Sequence, residues 1–337
     1  MEGQLRIETA KAQDELMISG MSPRKRPPIC SHEYARALNR TALDLRSDML
    51  LSGAGSTCGN SRAGVGNPGI TPTPAIQPHF ENHLSIQINE QFYDSMADHY
   101  HLIFEDWDAS MRRQGAAIAK LLPPPEEVGL ILDVACGIGT QSLALAAIGY
   151  SVEGSDISAV EIARAQREAA SRGLKCSFRV DDMRTLKTAS AGRYGAIIAM
   201  DNALPHLDSD DDILATFAAM RSSLRPGGKV LVSVRDYARH LQERHTCMPP
   251  VFYSDNGRRR IVFQVWDWID ERRYVVHLYL TQETVDGWIV HHFAGKYRAV
   301  TPEETARLAT QAGLQEVCVL PSSNTGFYQP IIVAEAA

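Results

Sequence analysis

Short apolar runs alternate with amphipathic segments over most of the chain beyond residue 130. Apolar residues that recur every three or four positions predict helices, and apolar runs bounded by turn residues predict buried strands. Strands are expected at residues 130–132, 150–156, 175–180, 194–200 and 229–234, with helices at 140–148 and 158–172. Strands and helices that alternate in this way favour a parallel sheet with helices on both faces. The pattern therefore predicts an α/β fold.

Two further regions flank or interrupt this pattern. Before the first strand, helices are predicted at residues 92–103 and 110–122, and the prolines at 123–125 end the second helix. The turn 224–228 is expected to precede the fifth strand. After that strand, residues 237–300 alternate apolar and polar positions between short turns, which is typical of an antiparallel meander.

The chain closes with one more helix and two strands. Thr301 and Pro302 predict the start of a helix that ends near Gln311. Strands are then expected near residues 316–320 and 327–334. With these two, seven strands are available to the main sheet.

The most informative segment is Leu130–Thr140, with the sequence LILDVACGIGT. An apolar strand that ends in Asp133 places this carboxylate at the carboxyl end of the sheet, where open parallel sheets bind ligands. Gly137 and Gly139 allow a sharp turn and a close approach of a ligand to the backbone. A tight turn with no ligand is one alternative. A dinucleotide-binding loop is another, although Ser142 stands where its third glycine is expected.

Acidic residues follow the next two strands at the same edge. Asp156 ends the second strand, where a carboxylate can accept hydrogen bonds from both ribose hydroxyls. Asp181, Asp182 and Met183 follow the third strand, and a carboxylate beside a thioether suits the amine and the face of an adenine. The alternatives are a helix N-cap role for Asp156, which Ser158 can also fill, and a solvated acidic turn for the later pair.

The ordered motifs DVACGIGT, Asp156, DDM, DNALPHL and LRPGGKVLVSVRDY resemble those of the class I S-adenosylmethionine-dependent methyltransferases, and within them the glycine N-methyltransferase-like branch. The resemblance covers about residues 90–335. It implies a seven-stranded, mostly parallel Rossmann-like sheet with helices on both faces, lid helices within 86–125 and the antiparallel insertion over the acceptor site. It also implies S-adenosyl-L-methionine as cofactor, with Arg112 placed to pair with the methionyl carboxylate. The implied cofactor-binding residues are Tyr93, Arg112, Asp133, Ala135, Gly137, Gly139, Asp156, Ile157, Asp182, Met183 and Met200.

The same resemblance places the acceptor. Asn202 and Arg235 occupy the positions that hold an amino-acid acceptor, and a guanidinium group suits its carboxylate. His206 would orient the acceptor or take its proton; an ordinary loop histidine bonded to backbone is the alternative. Asp201 replaces a glycine of the family pattern and Ala203 replaces a serine, so glycine is one candidate acceptor among several.

N-methylation of a small amine or amino acid is therefore the leading interpretation. The alternatives are a non-catalytic S-adenosylmethionine-binding regulatory protein and an O- or C-methyltransferase of a natural product. A binding protein and an enzyme differ in one testable respect. Only the enzyme should lose acceptor affinity, with cofactor binding intact, when the arginine after the fifth strand is replaced.

Composition limits the remaining possibilities. The 337-residue chain has a net charge of −6 and no long basic run, which disfavours nucleic-acid binding and favours a small-molecule acceptor. Its six cysteines lack zinc-ligand spacing, and the adjacent His291 and His292 would point to opposite faces of a strand, so no metal site is expected. No apolar stretch suits a membrane span or a signal peptide, and we expect a cytoplasmic protein.

Residues 1–85 differ from the rest of the chain. Within residues 51–80, 16 of 30 positions are Gly, Pro, Ser or Thr, which leaves too few apolar groups to offset the entropy lost on ordering. We expect a largely disordered extension over 1–85, apart from a short helix within 33–50. The methyltransferase domain is expected to span 86–337.

Overall fold

The computed structural model describes residues 89–337, so the disorder predicted for 1–85 and the helix predicted within 33–50 lie outside the described residues. Its strands are β1 (Leu130–Asp133), β2 (Ser151–Asp156), β3 (Cys176–Val180), β4 (Tyr194–Ala199), β5 (Leu224–Ser233), β6 (Cys247–Asp255), β7 (Arg258–Trp268), β8 (Arg273–Thr284), β9 (Gly287–Arg298), β10 (Gln315–Leu320) and β11 (Ile331–Glu335). Its helices are α1 (89–96), α2 (Trp107–Ala119), α3 (Pro125–Val128), α4 (Thr140–Ala147), α5 (Ala159–Ser171), α6 (Asp210–Ser223), α7 (Ala238–Glu243), α8 (Pro302–Gln311) and α9 (Ser322–Thr325), with 3₁₀ turns at Tyr100–Ile103 and Leu204–His206.

Within residues 89–337, seven strands form one sheet in the order β10-β11-β5-β4-β1-β2-β3. The strands from β5 to β3 are parallel, whereas β11 is antiparallel to both β5 and β10. This arrangement confirms the predicted mostly parallel, seven-stranded α/β sheet. The strand order reverses beside β1, and the carboxyl ends of β1 and β4 open a crevice of the kind in which such sheets bind ligands.

The core lies on both faces of the central strand β4, all of whose residues are buried. On one face Ile197 packs in a cluster with Phe217 of α6 and Leu308 of α8. On the other face Ile198 packs in a cluster with Ile118 of α2. Helices therefore cover both faces of the sheet, as the alternation of apolar runs predicts.

The start of β5 differs from the prediction. The turn expected at 224–228 is part of the strand, and the pairing of β4 with β5 shifts register between Tyr194 and Ala196. Gly195 lies at this irregularity, where an added Cβ would lie 1.6 Å from the carbonyl oxygen of Val128. Because only glycine allows so close an approach, this position lets the end of α3 pack against the sheet.

The insertion predicted at residues 237–300 contains a four-stranded antiparallel sheet in the order β6-β7-β8-β9. The alternating pattern predicts β7, β8 and β9 but not α7 or β6. The sequence does not predict β6 because it contains Pro249 and Pro250, and proline has no N–H to donate to a neighbouring strand. Both prolines are exposed at a register shift of this edge strand, where proline is tolerated.

The N-terminal helices also differ from their predicted bounds. α1 ends at residue 96, short of the predicted 103, and just beyond it the carbonyl oxygen of Ala97 accepts a hydrogen bond from the Arg164 guanidinium of α5. α2 begins at Trp107, earlier than predicted. Asp106 caps it by accepting a hydrogen bond from the Ala109 N–H over 2.9 Å.

Arg260 of β7 links the insertion to the segment between α1 and α2. The side chain is 3% exposed and pairs with Asp255, with Nε and Oδ2 2.6 Å apart. The guanidinium also donates to the carbonyl oxygens of Leu102 and Phe104. One buried cation therefore satisfies two backbone groups at the end of the 3₁₀ turn that follows α1.

Replacing Arg260 by alanine leaves the Leu102 and Phe104 carbonyl oxygens without this donor. We expect the free energy of unfolding, measured by urea denaturation, to fall by about 3 kcal/mol. The matched control is Arg259→Ala on the same strand, because its solvent-screened pair with Glu283 should contribute little to stability. Equal losses in the two variants would contradict this role.

Candidate active site

Backbone hydrogen bonds hold the loop after β1 to the end of β2. The Gly137 N–H donates to Asp156 Oδ2 over 2.9 Å, and the Cys136 N–H donates to the Ser155 carbonyl oxygen over 3.0 Å. Gly137 and Gly139 have φ angles of 52° and 96°, a region that favours glycine. The sharp turn predicted from the two glycines is therefore present.

Asp156 accepts hydrogen bonds from two different elements. Its Oδ1 accepts from the Ser158 N–H over 3.0 Å, and its Oδ2 is held by Gly137. Ser158 also caps α5 through its own side chain, so the ligand and capping roles considered from the sequence are compatible. Burial raises the pKa of the Asp156 carboxyl despite these donors. Each oxygen keeps further acceptor capacity for a ligand hydroxyl.

A cavity with about 880 Å³ of empty space, part of it open to solvent, lies at the carboxyl ends of the parallel strands. Its size is in the range of small-molecule sites. The predicted site residues that line it are Tyr93, Ala135, Gly137, Asp156, Ile157, Asp182, Met183, Met200 and His206. Asn89, Glu161 and Asp201 line it as well, and no motif or spacing in the sequence marks the first two as site residues.

Some predicted residues lie outside this lining. Arg112 is exposed on α2 and does not line the cavity, so its side chain is not placed here for the predicted pairing with a methionyl carboxylate. α2 packs on α4, where Trp107 Nε1 donates to Thr140 Oγ1 over 3.0 Å. Gly139 has a loop-forming role, and Asp133 is buried beneath the loop.

Asp133 supports the loop from below. Its Oδ2 accepts from Ser142 Oγ over 2.8 Å, whereas its Oδ1 has no partner among the residues described. Burial raises the pKa of Asp133 to about 7. The serine that stands in place of a third glycine therefore has a definite task, which is to bind the carboxylate that ends β1.

The residues predicted to bind adenine, Asp182 and Met183, give the cavity a charged group next to an apolar one. Burial alone would raise the pKa of Asp182, but hydrogen bonds from Arg184 hold it below its ordinary value, with Nη2 and Oδ2 2.5 Å apart. Met183 lines the cavity beside it. Asp181 serves the turn, since it accepts from the backbone N–H groups of residues 187 and 188.

Glu161 of α5 adds another buried carboxyl group to the lining. The residue is 1% exposed, and its Oε1 atom has no hydrogen-bond partner in the described part of the chain. Burial raises the pKa of Glu161 well above its ordinary value. Because an unsatisfied buried polar group is costly, this atom indicates a missing ligand partner.

His206 is a neutral imidazole with both ring nitrogens engaged. Nδ1 lies 3.2 Å from the carbonyl oxygen of Lys296, which can only accept, so Nδ1 carries the proton. Nε2 is then the acceptor, and the Tyr93 hydroxyl donates to it over 2.6 Å. Burial lowers the pKa of His206 to about 4. The ring therefore orients Tyr93 and has no free lone pair with which to take an acceptor's proton.

Asn202 and Arg235 are brought together beside the cavity. Asn202 Oδ1 accepts from the Arg235 N–H over 2.9 Å, and its Nδ2 donates to the Tyr237 hydroxyl over 2.9 Å. The buried Arg235 guanidinium lies over the Trp266 ring, with Cζ 4.8 Å from the centroid. Within residues 89–337 its Nε has no hydrogen-bond partner. Asn202 thus fixes the backbone of an arginine that has no anionic partner there.

A group of buried and half-buried tyrosines connects these residues with the four-stranded sheet. This tyrosine cluster consists of Tyr93, Tyr100, Tyr237, Tyr274, Tyr297 and Tyr328. The hydroxyls of Tyr237 and Tyr274 are 2.8 Å apart, and the Tyr297 ring centroid lies 4.0 Å from that of His206. Burial raises the pKa of every member, so all are neutral phenols.

The two adjacent histidines have different partners. His291 lies against the His99 ring, with centroids 4.1 Å apart, whereas His292 bonds to His277 over 2.9 Å. In the part of the chain that the structure describes, no group of three or more His, Cys, Asp and Glu side chains could hold a metal ion.

No helix among the described residues has the length and apolar character needed to cross a membrane.

Comparisons with known proteins agree with this geometry. Residues 131–228 match the family profile of a methyltransferase domain. Over 168 residues the chain is 29% identical to a glycine/sarcosine N-methyltransferase of Halorhodospira halochloris, and the match covers 50% of this chain and 62% of that protein. The chain thus spans less than two thirds of the length of this relative.

Solved structures have the same fold. Streptomyces venezuelae DesVI is 18% identical with a TM-score of 0.58, over 68% of this chain and 92% of that chain. SAM-bound CalS10, an amino pentose methyltransferase from Micromonospora echinaspora, is 19% identical with a TM-score of 0.53, over 80% of this chain and 100% of that chain. These two structures agree with the fold. The domain match and the glycine/sarcosine N-methyltransferase relative confirm the predicted resemblance to class I methyltransferases of the glycine N-methyltransferase-like branch, and support the S-adenosylmethionine cofactor class that goes with it.

The depressed pKa of His206 predicts a pH dependence of stability. The ordinary value is 6.5 and the folded value is about 4, so the unfolded chain binds this proton more tightly. The free energy of unfolding should therefore fall as the pH drops from about 6.5 to about 4. In His206→Gln the amide can accept from Tyr93 and donate to the Lys296 carbonyl but does not titrate. This variant should therefore lose the part of the pH dependence that comes from His206. Urea denaturation across that range measures both proteins, and identical pH dependence would contradict a neutral His206.

Proposed function

We propose that the protein transfers a methyl group from S-adenosylmethionine to the nitrogen of a small amine or amino acid. The observation that carries this proposal is the buried Arg235, which forms no ion pair among the described residues and adjoins the tyrosine cluster. This site lies beside the cavity that contains Asp156. A cofactor and a carboxylate-bearing acceptor can therefore meet at one place.

The cavity suits this cofactor in charge and in donor set. Asp156 would hold the ribose hydroxyls, and Asp182 with Met183 would hold the adenine. Glu161 Oε1 requires a partner, which a ligand N–H or O–H would supply. Among the described residues, the lining has five carboxyl groups against a single guanidinium, that of Arg184. A net negative lining favours a ligand that carries a sulfonium cation.

The chemistry leaves a limited task to the protein. When bound, S-adenosylmethionine supplies a methyl group that is already electrophilic. The residues of this chain need to bind the acceptor, align its nitrogen and exclude water. Phe92 and Met96 of α1 share one apolar core with the four-stranded sheet, which covers the tyrosine cluster on that side. This arrangement supports a site closed to solvent.

The acceptor class follows from Arg235 and its surroundings. A planar guanidinium binds a carboxylate through two parallel hydrogen bonds, and Asn202 would hold its backbone in place. The similar protein from Halorhodospira halochloris is named for glycine and sarcosine, and CalS10 is named for an amino pentose. Each name indicates a small amine, which supports N-methylation of a compound of that kind.

Replacing Arg235 by alanine tests the acceptor assignment. Loss of two charged hydrogen bonds, together about 3 kcal/mol, should raise KM for glycine or sarcosine about 100-fold. The Kd for S-adenosylmethionine should not change, because Arg235 lies outside the cofactor lining. Release of S-adenosylhomocysteine measures the first quantity and titration calorimetry the second. Arg235→Lys keeps the charge without the planar fork and should have an intermediate KM.

Three outcomes would contradict the proposed function. A wild-type protein that binds S-adenosylmethionine but methylates no amine would favour a non-catalytic binding protein. Transfer only to hydroxyl or carbon acceptors would favour an O- or C-methyltransferase. Loss of cofactor binding in Arg235→Ala would place the guanidinium at the cofactor and remove the basis for the acceptor assignment.

A further inference from the structure

Asp201 lies shortly after β4 in an unusual backbone conformation. Asp201 and Asn202 have φ angles of 60° and 67°, consecutive left-handed values at residues that are not glycine. Such conformations cost on the order of 1 kcal/mol or more each and persist where surrounding contacts enforce them. Here Ser233 enforces them, since its Oγ accepts from the Asp201 N–H over 2.7 Å and its carbonyl accepts from the Asn202 N–H over 3.2 Å.

This left-handed turn at Asp201 and Asn202 places the Asp201 carboxylate at the cavity. Asp201 lines the cavity, whereas the Asn202 side chain is bonded to Arg235 and Tyr237 outside it. Strained positions of this kind cluster at functional sites. The conformation therefore indicates that the placement of Asp201 matters for what the cavity binds.

The Asp201 carboxylate has only neutral hydrogen-bond donors within the described residues. Tyr100 donates to Oδ2 over 2.8 Å and Tyr328 donates to Oδ1. Each oxygen can accept a further hydrogen bond. Burial raises the pKa of Asp201, against the opposing effects of Tyr328, Tyr100 and the positive charge of Arg235. The group is thus a half-buried acceptor with room for a cationic donor.

Asp201 and Arg235 carry opposite charges but do not pair with each other. Arg235 is close enough to lower the pKa of Asp201, yet its guanidinium lies over the Trp266 and Tyr237 rings. Buried charges without a direct partner are costly unless a ligand compensates them. A molecule with an ammonium group and a carboxylate would compensate both. The tyrosine rings would add cation–π attraction for the ammonium end.

We infer that Asp201 binds the ammonium group of the acceptor and takes one proton from it before methyl transfer. The inference rests on the proposed function, because it assigns the amine end of the same acceptor site. Proton transfer converts R–NH₃⁺ and the Asp201 carboxylate into R–NH₂ and a carboxylic acid. The nitrogen lone pair then forms a bond to the sulfonium methyl carbon. The carbon–sulfur bond breaks with its electron pair left on sulfur, which gives a thioether and R–NH₂⁺–CH₃.

The isosteric variant Asp201→Asn tests this role with little risk to the fold. The amide oxygen can accept from Tyr100 and the amide nitrogen can donate to the Tyr328 oxygen, so both contacts can persist. The wild type is first assayed with methylamine, glycine, sarcosine and an amino pentose, and the best acceptor is used for all variants. At about pH 7 the variant should lose about 100-fold in kcat/KM, while its Kd for S-adenosylmethionine is unchanged.

The pH dependence separates proton transfer from a structural role. At about pH 10, near the ordinary pKa of an amine, roughly half of the acceptor arrives neutral, and the loss in the variant should shrink to less than about 10-fold. The wild-type rate should also fall at low pH as Asp201 becomes protonated. The groups that face Asp201 are Tyr100, Tyr328, Tyr297 and Arg235. All four have raised pKa values and stay protonated near neutral pH, so none of them changes its protonation state there.

Asp211→Asn is the matched control, because Asp211 is exposed in the first turn of α6 and should follow the wild type at every pH. A loss in Asp201→Asn that is equal at both pH values, or smaller than about threefold at pH 7, would overturn the inference and leave the proposed function intact. If the wild type methylates no amine of the panel, the proposed function fails, and the inference fails with it. That result is visible before any variant is compared.

Discussion

The hydrogen bond from the Gly137 N–H to the Asp156 carboxylate is the constraint on which the site depends. It joins the loop after β1 to the end of β2, and the same carboxylate accepts from Ser158 at the start of α5. The position of α5 in turn places Glu161 in the cavity and Arg164 against the carbonyl oxygen of Ala97, just beyond α1. One side chain therefore organises the cofactor edge and, through a helix, the segment that covers it.

The acceptor side depends on contacts between distant parts of the chain. Ser233 of β5 holds the backbone after β4, and Asn202 holds the backbone after β5. The tyrosine cluster draws members from the N-terminal segment, the insertion and the segment before β11. As a result, the protein places the buried Arg235 cation and the half-buried Asp201 carboxylate at one site without pairing them. That separation distinguishes a binding site from a structural ion pair, and it favours a ligand that carries both charges.

Much of the sheet could be predicted from the sequence, because buried parallel strands are continuous apolar runs and the carboxyl-end residues are fixed by motif. Boundaries and roles that depend on distant partners could not. The tautomer of His206, for example, is set by Lys296 and Tyr93, which lie far from it in the chain. The role of Arg112 is inferred from the resemblance to related enzymes, and a resemblance does not fix which face of α2 is exposed. The left-handed turn at Asp201 has no signal of its own.

Titration calorimetry of the full chain with S-adenosylmethionine, comparing the wild type with Asp156→Asn, tests the central claim most directly. If Asp156 holds both the loop and the ribose, the variant should bind at least about 10-fold more weakly, since a hydrogen bond to a charged group contributes about 1.5 kcal/mol or more. The wild type should not bind NAD. Equal affinities of the two proteins for S-adenosylmethionine, or a wild type that binds NAD alone, would contradict the account.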